Sequence, residues 1–244
     1  MHELVSLAII YATAGLLQGV VGFGFALLSV PLVAGMYDIP TAVTMNAVVG
    51  TANCAYKAWL LRRHIEYGLV LRFFAVATVF VPFGVVAVSY IPRRPAMAAL
   101  GLFVVAVAVA NLLSRDHVGL VMRRRRSFWS LAGLTGVIAG AFGTPGPAAV
   151  PYFVGQTIHA ETAKANLQIF FTFVAVPVIV FHAAAGNMTS VALGRAGLFV
   201  PLVMLVTLTG TRAAALVPAH TLRRIVDIGL IALGAYILLE QLIA

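Results

Sequence analysis

Long apolar stretches separated by short polar connections dominate this chain. Their length and low charge distinguish eight of them, near residues 4–35, 41–61, 69–90, 96–114, 128–155, 162–184, 193–217 and 222–243. A helix needs about 20 apolar residues to cross the roughly 30 Å hydrocarbon layer of a membrane. The pattern therefore predicts an all-α polytopic membrane protein, and the short connections leave no room for a soluble domain.

Composition supports this prediction and narrows the possible partners. Of the 244 residues, 62% are hydrophobic and 9% are charged, whereas about 25% of the residues in soluble domains are charged. The net charge of +9 comes from Lys and Arg that lie mainly between apolar stretches. This placement indicates membrane topology and argues against a nucleic-acid partner. We expect a multi-pass protein of the cell membrane, and specifically of a bacterial inner membrane.

The chain repeats itself with a period of about 120 residues. Gly15, Gly19 and Gly22 recur 121 residues later, and Pro31 and Asn46 recur 120 residues later. The matching positions are Gly136, Gly140, Gly143, Pro151 and Asn166. We therefore predict two membrane repeats, residues 1–121 and 122–244, with four apolar segments in each.

A glycine cluster interrupts the first segment of each repeat, at residues 15–24 and 136–146. Pro145 and Pro147 make a continuous helix through the second cluster unfavourable. Backbone groups freed by such a break find no partner in lipid, so the broken backbone must be buried in protein or line a polar cavity. Close helix packing is the alternative explanation for the G-x-x-x-G spacing that begins each cluster.

Two topologies are compatible with the eight segments. If all of them cross the membrane, ten Lys and Arg residues lie on one side and six on the other. If the first segment of each repeat is instead a re-entrant hairpin with the glycine cluster at its tip, the distribution is 13 against three, namely Arg93, Arg94 and Arg195. The positive-inside rule favours the hairpins. Three true crossings per repeat also make the repeats inverted, as in many secondary transporters.

With these motifs, the sequence resembles the sulfite exporter TauE/SafE family of membrane permeases over nearly its whole length. Each repeat of that family opens with a cluster of the form G-x-x-x-G-x-x-G-x-G-G-G, followed by a proline. The two copies here read Gly19-Val-Val-Gly22-Phe-Gly24-Phe25-Ala26 and Gly140-Ala-Phe-Gly143-Thr144-Pro145-Gly146-Pro147, and both depart from the triple glycine. The resemblance implies transport of sulfite, organosulfonates or related small anions, and no cofactor is expected.

A candidate site follows from what a small anion needs inside a membrane. Backbone N–H groups at a helix N-terminus bind anions, and glycine lets a ligand approach them closely. In the hairpin topology, half-helices that begin near Gly24 and Gly146 would point at one midplane site. Arg212 is included because an arginine within an apolar segment is a functional candidate. The predicted substrate-binding residues are Gly22, Gly24, Asn46, Gly143, Thr144, Gly146, Asn166, Gln168 and Arg212.

Other polar residues have simpler explanations. Lys57, beside Trp59, is predicted to be an interfacial anchor, and the single cysteine, Cys54, to be a packing residue. Glu66 and Asp227 are predicted to form ion pairs along a helix face, with Arg62 and Arg63 and with Arg223 and Arg224 respectively. The sequence contains no P-loop and no H-E-x-x-H motif, so we expect neither an enzyme, nor an ATP-driven pump, nor a metal site.

The predicted function is that of a permease, which moves sulfite or an organosulfonate as its two repeats rock against each other. Three alternatives stay open: a permease for another small anion such as a carboxylate, a channel-like anion pore, and a membrane subunit without transport of its own. The sequence also leaves open the direction of transport, the coupling ion and whether the protein forms a homodimer.

Overall fold

The protein is an assembly of α-helices joined by short connections. The computed structural model describes residues 2–113, 125–213 and 219–243, and these contain no β-strand. A 3₁₀ turn at Arg62–His64 separates the third and fourth helices. The helices are α1 (His2–Val21), α2 (Phe25–Met36), α3 (Ile39–Leu60), α4 (Tyr67–Tyr90), α5 (Arg93–Leu113), α6 (Arg125–Phe142), α7 (Gly146–Gln156), α8 (Ala160–Ala184), α9 (Ser190–Ala213) and α10 (Ala219–Ile243).

Five of the described helices, α1, α4, α5, α8 and α9, are long and apolar enough to cross a membrane. This confirms the predicted all-α membrane class. Helix α3 has 22 residues, which is also sufficient length. It carries Asn46, Asn53 and Lys57 among its apolar residues, however, and both asparagines are buried. One face of α3 is therefore turned towards the protein interior, away from lipid.

The first apolar segment folds into two helices that run back along each other. The break between α1 and α2 falls at residues 22–24, within the first glycine cluster. The rings of Tyr11 and Phe25 stack with their centroids 5.9 Å apart. At the base of the hairpin, the Tyr37 hydroxyl donates a hydrogen bond to the Glu3 carboxylate. The start of α1 and the end of α2 therefore lie together, and we call this level of the molecule the Glu3 end.

The fifth apolar segment folds in the same way. Helices α6 and α7 are separated at residues 143–145, within the second glycine cluster. The rings of Phe128, early in α6, and Tyr152, late in α7, have their centroids 5.7 Å apart. The base of this second hairpin lies at the opposite end of the molecule, which we call the basic end because Arg62 and Arg63 lie there.

Contacts between helix ends establish the direction of the remaining helices. At the basic end, His64 lies 3.3 Å from the Glu161 carboxylate at the start of α8. At the Glu3 end, Asn187, which follows α8, donates a hydrogen bond of 2.8 Å to Ser89 near the end of α4. Helices α3, α5 and α9 thus run from the Glu3 end to the basic end, and α4, α8 and α10 run in the reverse direction.

Glycines allow the hairpins to pack closely against neighbouring helices. Helix α1 packs along α9, and α6 packs along α4. A Cβ at Gly19 would lie 2.3 Å from the Thr207 carbonyl oxygen, and one at Gly140 would lie 2.1 Å from that of Val81. The G-x-x-x-G spacing therefore serves close helix packing at these positions. The predicted repeat boundary, at residues 121 and 122, lies outside the described residues.

A polar cluster fastens the first hairpin to α9. Arg195 donates hydrogen bonds to the Glu3 carboxylate at 2.5 Å and to the Tyr37 hydroxyl at 2.9 Å. Burial, followed by the hydrogen bond to Glu3, raises the pKa of Tyr37 above its ordinary value. Tyr37 is therefore neutral at physiological pH and can act as a hydrogen-bond donor within the cluster.

Candidate functional site

A cavity lies between the two helix breaks. Its walls are formed by the hairpin tips, residues 23–27 and 143–147, and by the middle turns of α3 and α8. The centre of a water-sized sphere can move through about 80 Å³ of this cavity. A single water requires roughly 10–15 Å³ by this measure, so the cavity can hold a small solute.

Both short helices begin at this cavity. Helix α2 starts after Gly24 and α7 starts after Pro145, and neither N-terminus is capped by a side chain. Backbone N–H groups in the first turn of a helix have no partner within the helix, and they carry the positive end of its dipole. Phe25 and Ala26 of α2 and Gly146 of α7, all in the first turns of these helices, are among the residues that line the cavity. The two helix starts therefore border one shared cavity.

Buried polar side chains complete the lining. Thr144 is 2% exposed, and its hydroxyl has no hydrogen-bond partner among the described residues. The Gln18 side-chain oxygen is buried and unpartnered within the same part of the chain. Asn46 is hydrogen-bonded to Ser29 of α2 and borders the same space. None of the described lining residues is charged, so the cavity contains polar donors without a fixed carboxylate.

Five of the nine residues predicted from the sequence line this cavity, namely Gly24, Asn46, Gly143, Thr144 and Gly146. Two others meet nearby, because the Gln168 side-chain amide donates a hydrogen bond of 2.8 Å to the Gly22 carbonyl. The structure does not bring Asn166 or Arg212 to the cavity lining. Arg212 is exposed in the last described turn of α9.

Asn166 is engaged at the basic end instead. Its side-chain oxygen accepts a hydrogen bond of 2.8 Å from the Glu66 backbone N–H, and its amide donates one of 3.3 Å to the Glu66 carboxylate. The prediction that Glu66 pairs with Arg62 or Arg63 is wrong, because the Glu66 carboxylate bonds to Asn166. Arg62 instead donates a hydrogen bond of 2.9 Å to the Trp59 carbonyl and lies over the Trp59 ring.

The predicted helix-face pairing of Asp227 is only partly described. Asn111 of α5 donates a hydrogen bond of 3.2 Å to the Asp227 carboxylate, which links α5 to α10. The side chain of Arg223, one of its two predicted partners, lies outside the described part of the chain.

Two residues for which the sequence predicts other roles lie near the cavity. Cys54 lines the cavity and accepts a hydrogen bond of 3.2 Å from the Gln18 amide. The Lys57 ammonium donates a hydrogen bond of 3.1 Å to the Gln18 carbonyl, a contact within the protein that its interpretation as an interfacial anchor does not include. The signal that could have identified both is their spacing from Asn46 and Gly50, because all four fall on one broad face of α3.

The fold and the cavity define a class of protein: a polytopic membrane protein with two broken hairpins and a cavity between them, an architecture typical of secondary transporters. The model of the sulfite exporter TauE/SafE family matches residues 7–237, and the chain belongs to this family. It is therefore a multi-pass membrane transporter and not an enzyme.

One curated relative is named as a probable sulfite/organosulfonate exporter TauE, from Cupriavidus necator. It is 27% identical over 233 residues, which cover 93% of this chain and 90% of the relative. No solved structure matches the chain at a significant level.

Proposed function

We propose that this protein is a permease that carries a small sulfur-containing oxyanion, sulfite or an organosulfonate, through the cavity between its two hairpins. The observation that carries the proposal is the pair of uncapped helix starts, at Phe25 and Gly146, on a cavity that is also lined by Thr144, whose hydroxyl has no partner among the described residues. Such donors hold an anion through partial charges. An anion bound in this way can be released, as transport requires.

The chemistry of the walls supports an organosulfonate as well as sulfite. Oxyanion oxygens would accept hydrogen bonds from the helix starts and from Thr144. Phe23, Phe171 and Val174 form an apolar part of the lining, which suits the organic group of a sulfonate. The substrate class in the name of the Cupriavidus necator relative agrees with this assignment.

Helix packing supports the proposal that residues 1–121 and 122–244 are inverted repeats. Helix α1 packs along α9, and α6 packs along α4. Each hairpin therefore packs on the second of the three long helices that follow the hairpin in the other half. The glycines at these contacts, Gly19 and Gly140, occupy matching positions in the two halves. Each half also contains one hairpin and three through-helices, and this odd number of crossings reverses the orientation of the second half.

The lining positions support a site at the membrane midplane. They fall in the middle of both long helices, at Asn46 to Cys54 in α3 and at Phe171 to Val178 in α8. Described cations collect at one end: three, Arg93, Arg94 and Arg195, belong to the Glu3 end, whereas the basic end has Arg62, Arg63, Arg72, Lys164, Arg212 and Arg224. The basic end is then cytoplasmic, and rocking of one half against the other would expose the cavity to each side in turn.

The proposal is tested by binding and counterflow with purified protein. In a thermal-shift assay, sulfite, taurine and sulfoacetate are compared with malonate and pyruvate; a ligand at 100 times its Kd adds about 2.7 kcal/mol of stability. The same protein, alone in liposomes, is then tested for saturable counterflow of labelled sulfite. We expect stabilisation by the sulfur anions together with counterflow.

Other outcomes would assign a different function. If only the carboxylates stabilise the protein, the substrate is a small carboxylate. The same donors and apolar wall also accommodate such an anion. Saturable binding with anion flux but no counterflow would indicate a channel-like pore. Absence of both binding and flux with every anion would contradict transport by this chain on its own.

A further inference from the structure

Lys57 lies on the cavity-facing side of α3, beyond the cavity itself. At about 100° per residue, it lies about 20° around the helix axis from both Asn46 and Gly50, which line the cavity. Cys54, one turn before it, is the last cavity-lining residue of α3. The ammonium group therefore lies between the neutral cavity and the basic end of the molecule.

The ammonium group of Lys57 is incompletely paired. It has three N–H donors, and its one hydrogen bond among the described residues is to the Gln18 carbonyl, at 3.1 Å. No carboxylate of the described chain lies within 4 Å of it. A cation within a membrane helix usually pairs with an acidic residue or marks an ion pathway, and Lys57 lacks the acidic partner.

The contact with Gln18 directs this cation towards the cavity. Gln18 lies in the last turn of α1, where the helix dipole is negative and stabilises a nearby ammonium. The Gln18 side chain is itself part of the cavity lining, and its oxygen has no partner among the described residues. Lys57 is thus held at the tip of the first hairpin with two donors left for a ligand.

We propose that Lys57 is the first protein contact of a transported oxyanion at the basic-end mouth of the cavity, and that it selects anions over neutral solutes of the same size. This inference rests on the proposed function. The oxyanion would pair with the two remaining N–H donors and then move past Cys54 into the cavity that Thr144 and the helix starts line. Electrostatic attraction at the mouth would raise the local concentration of anions.

Kinetics in proteoliposomes provide the test. In Lys57→Met we expect the half-saturating concentration of labelled sulfite to rise about tenfold or more, because a hydrogen bond to a charged group is lost. Lys57→Arg keeps the charge and should stay within about threefold of wild type. The matched control is Arg72→Met, which removes an exposed cation at the same end from a helix that contributes nothing to the lining; it should leave the value within about twofold.

A charge-restoring modification separates anion binding from a purely structural role. Cys54 is the only cysteine in the chain, so Cys54→Ser gives a cysteine-free background. In Cys54→Ser/Lys57→Cys, an aminoethyl thiosulfonate reagent installs a new ammonium and should recover most of the lost affinity. The corresponding sulfonatoethyl reagent installs an anion and should not. Cys54→Ser alone, treated with both reagents, is the control.

The outcomes distinguish this inference from the proposed function. If wild type shows saturable counterflow and Lys57→Met has an unchanged half-saturating concentration, the Lys57 inference fails and the proposed function stands. Equal recovery with both reagents would also overturn it, because packing rather than charge would then be restored. If wild type neither binds nor transports any of the tested anions, both proposals fail.

Discussion

The Gln168 side-chain amide donates a hydrogen bond of 2.8 Å to the Gly22 carbonyl, joining α8 to the tip of the first hairpin. This bond holds the loop from which α2 begins. Gln168 is one of the predicted substrate-binding residues, and this contact also lets it position the backbone of that loop.

Loss of the Gln168 contact should weaken both folding and transport. Gln168→Leu leaves the part-buried Gly22 carbonyl without this partner, which costs up to about 1–3 kcal/mol. We expect a lower thermal unfolding temperature in detergent and reduced sulfite counterflow. Thr172→Val is the matched control, because the Thr172 hydroxyl bonds only to a carbonyl of its own helix. Wild-type unfolding and transport in Gln168→Leu would contradict this role.

Asn46 and Asn166 occupy matching positions in the two repeats but have different hydrogen-bond partners. By the offset that relates Pro31 to Pro151, the position equivalent to Ser29 is Ala149, which is apolar and buried. Asn46 therefore finds a polar partner on the hairpin of its own half, whereas Asn166 has none there. It pairs with Glu66 instead. The repeat predicted matching positions correctly but not their neighbours, because the partners differ between the halves.

The structural role of Asn166 can be tested against that of Asn46. Asn166→Leu should lower the thermal unfolding temperature, because it leaves the Glu66 backbone N–H without a partner. Its half-saturating sulfite concentration should stay within about twofold of wild type. Asn46→Leu should change that concentration, since Asn46 borders the cavity. If Asn166→Leu instead has normal stability and a large change in sulfite affinity, Asn166 is a substrate-binding residue.

The breaks in the two hairpins could be predicted because Gly and Pro fall where lipid offers no backbone partner. The inward direction of Lys57 could not, because an ammonium on a long flexible chain can reach either the interface or the interior. Arg212 is included in the predicted site because it falls within an apolar run, and its exposed position could not be predicted for a related reason. Hydropathy indicates the length of an apolar segment, whereas the direction of a side chain depends on the helices packed around it.

Close packing of α6 against α4 should make Gly140 intolerant of any side chain. In Gly140→Ala the new Cβ would lie 2.1 Å from the Val81 carbonyl oxygen. Overpacking of this kind costs about 1–3 kcal/mol or more, so we expect loss of folded protein in detergent chromatography. Gly197→Ala is the control, because nothing lies within 4 Å of its Cβ position. Similar behaviour of the two variants would rule out helix packing as the role of Gly140.

The cluster at the Glu3 end should give a measurable pH dependence. The pKa of Tyr37 is raised in the folded protein, so the stabilisation linked to its neutral form is fully present below its unfolded pKa, about 10. It is lost as pH rises through the folded value. Thermal unfolding between pH 7 and 11 should therefore show a steeper alkaline loss in wild type than in Tyr37→Phe. Parallel curves would contradict this linkage.

Gly24 and Gly146 mark the two helix starts, and the same substitution should affect them differently. Gly24 has a φ of +101°, which an L side chain rarely adopts, so Gly24→Ala should be strained and less stable. A Cβ at Gly146 would lie 3.7 Å from the nearest Phe23 atom, an ordinary contact. Gly146→Ala should therefore fold like wild type while placing a methyl group at the α7 helix start. We expect reduced sulfite affinity without a lower unfolding temperature. If Gly146→Ala binds and transports sulfite like wild type, the α7 N-terminus is not part of the anion site.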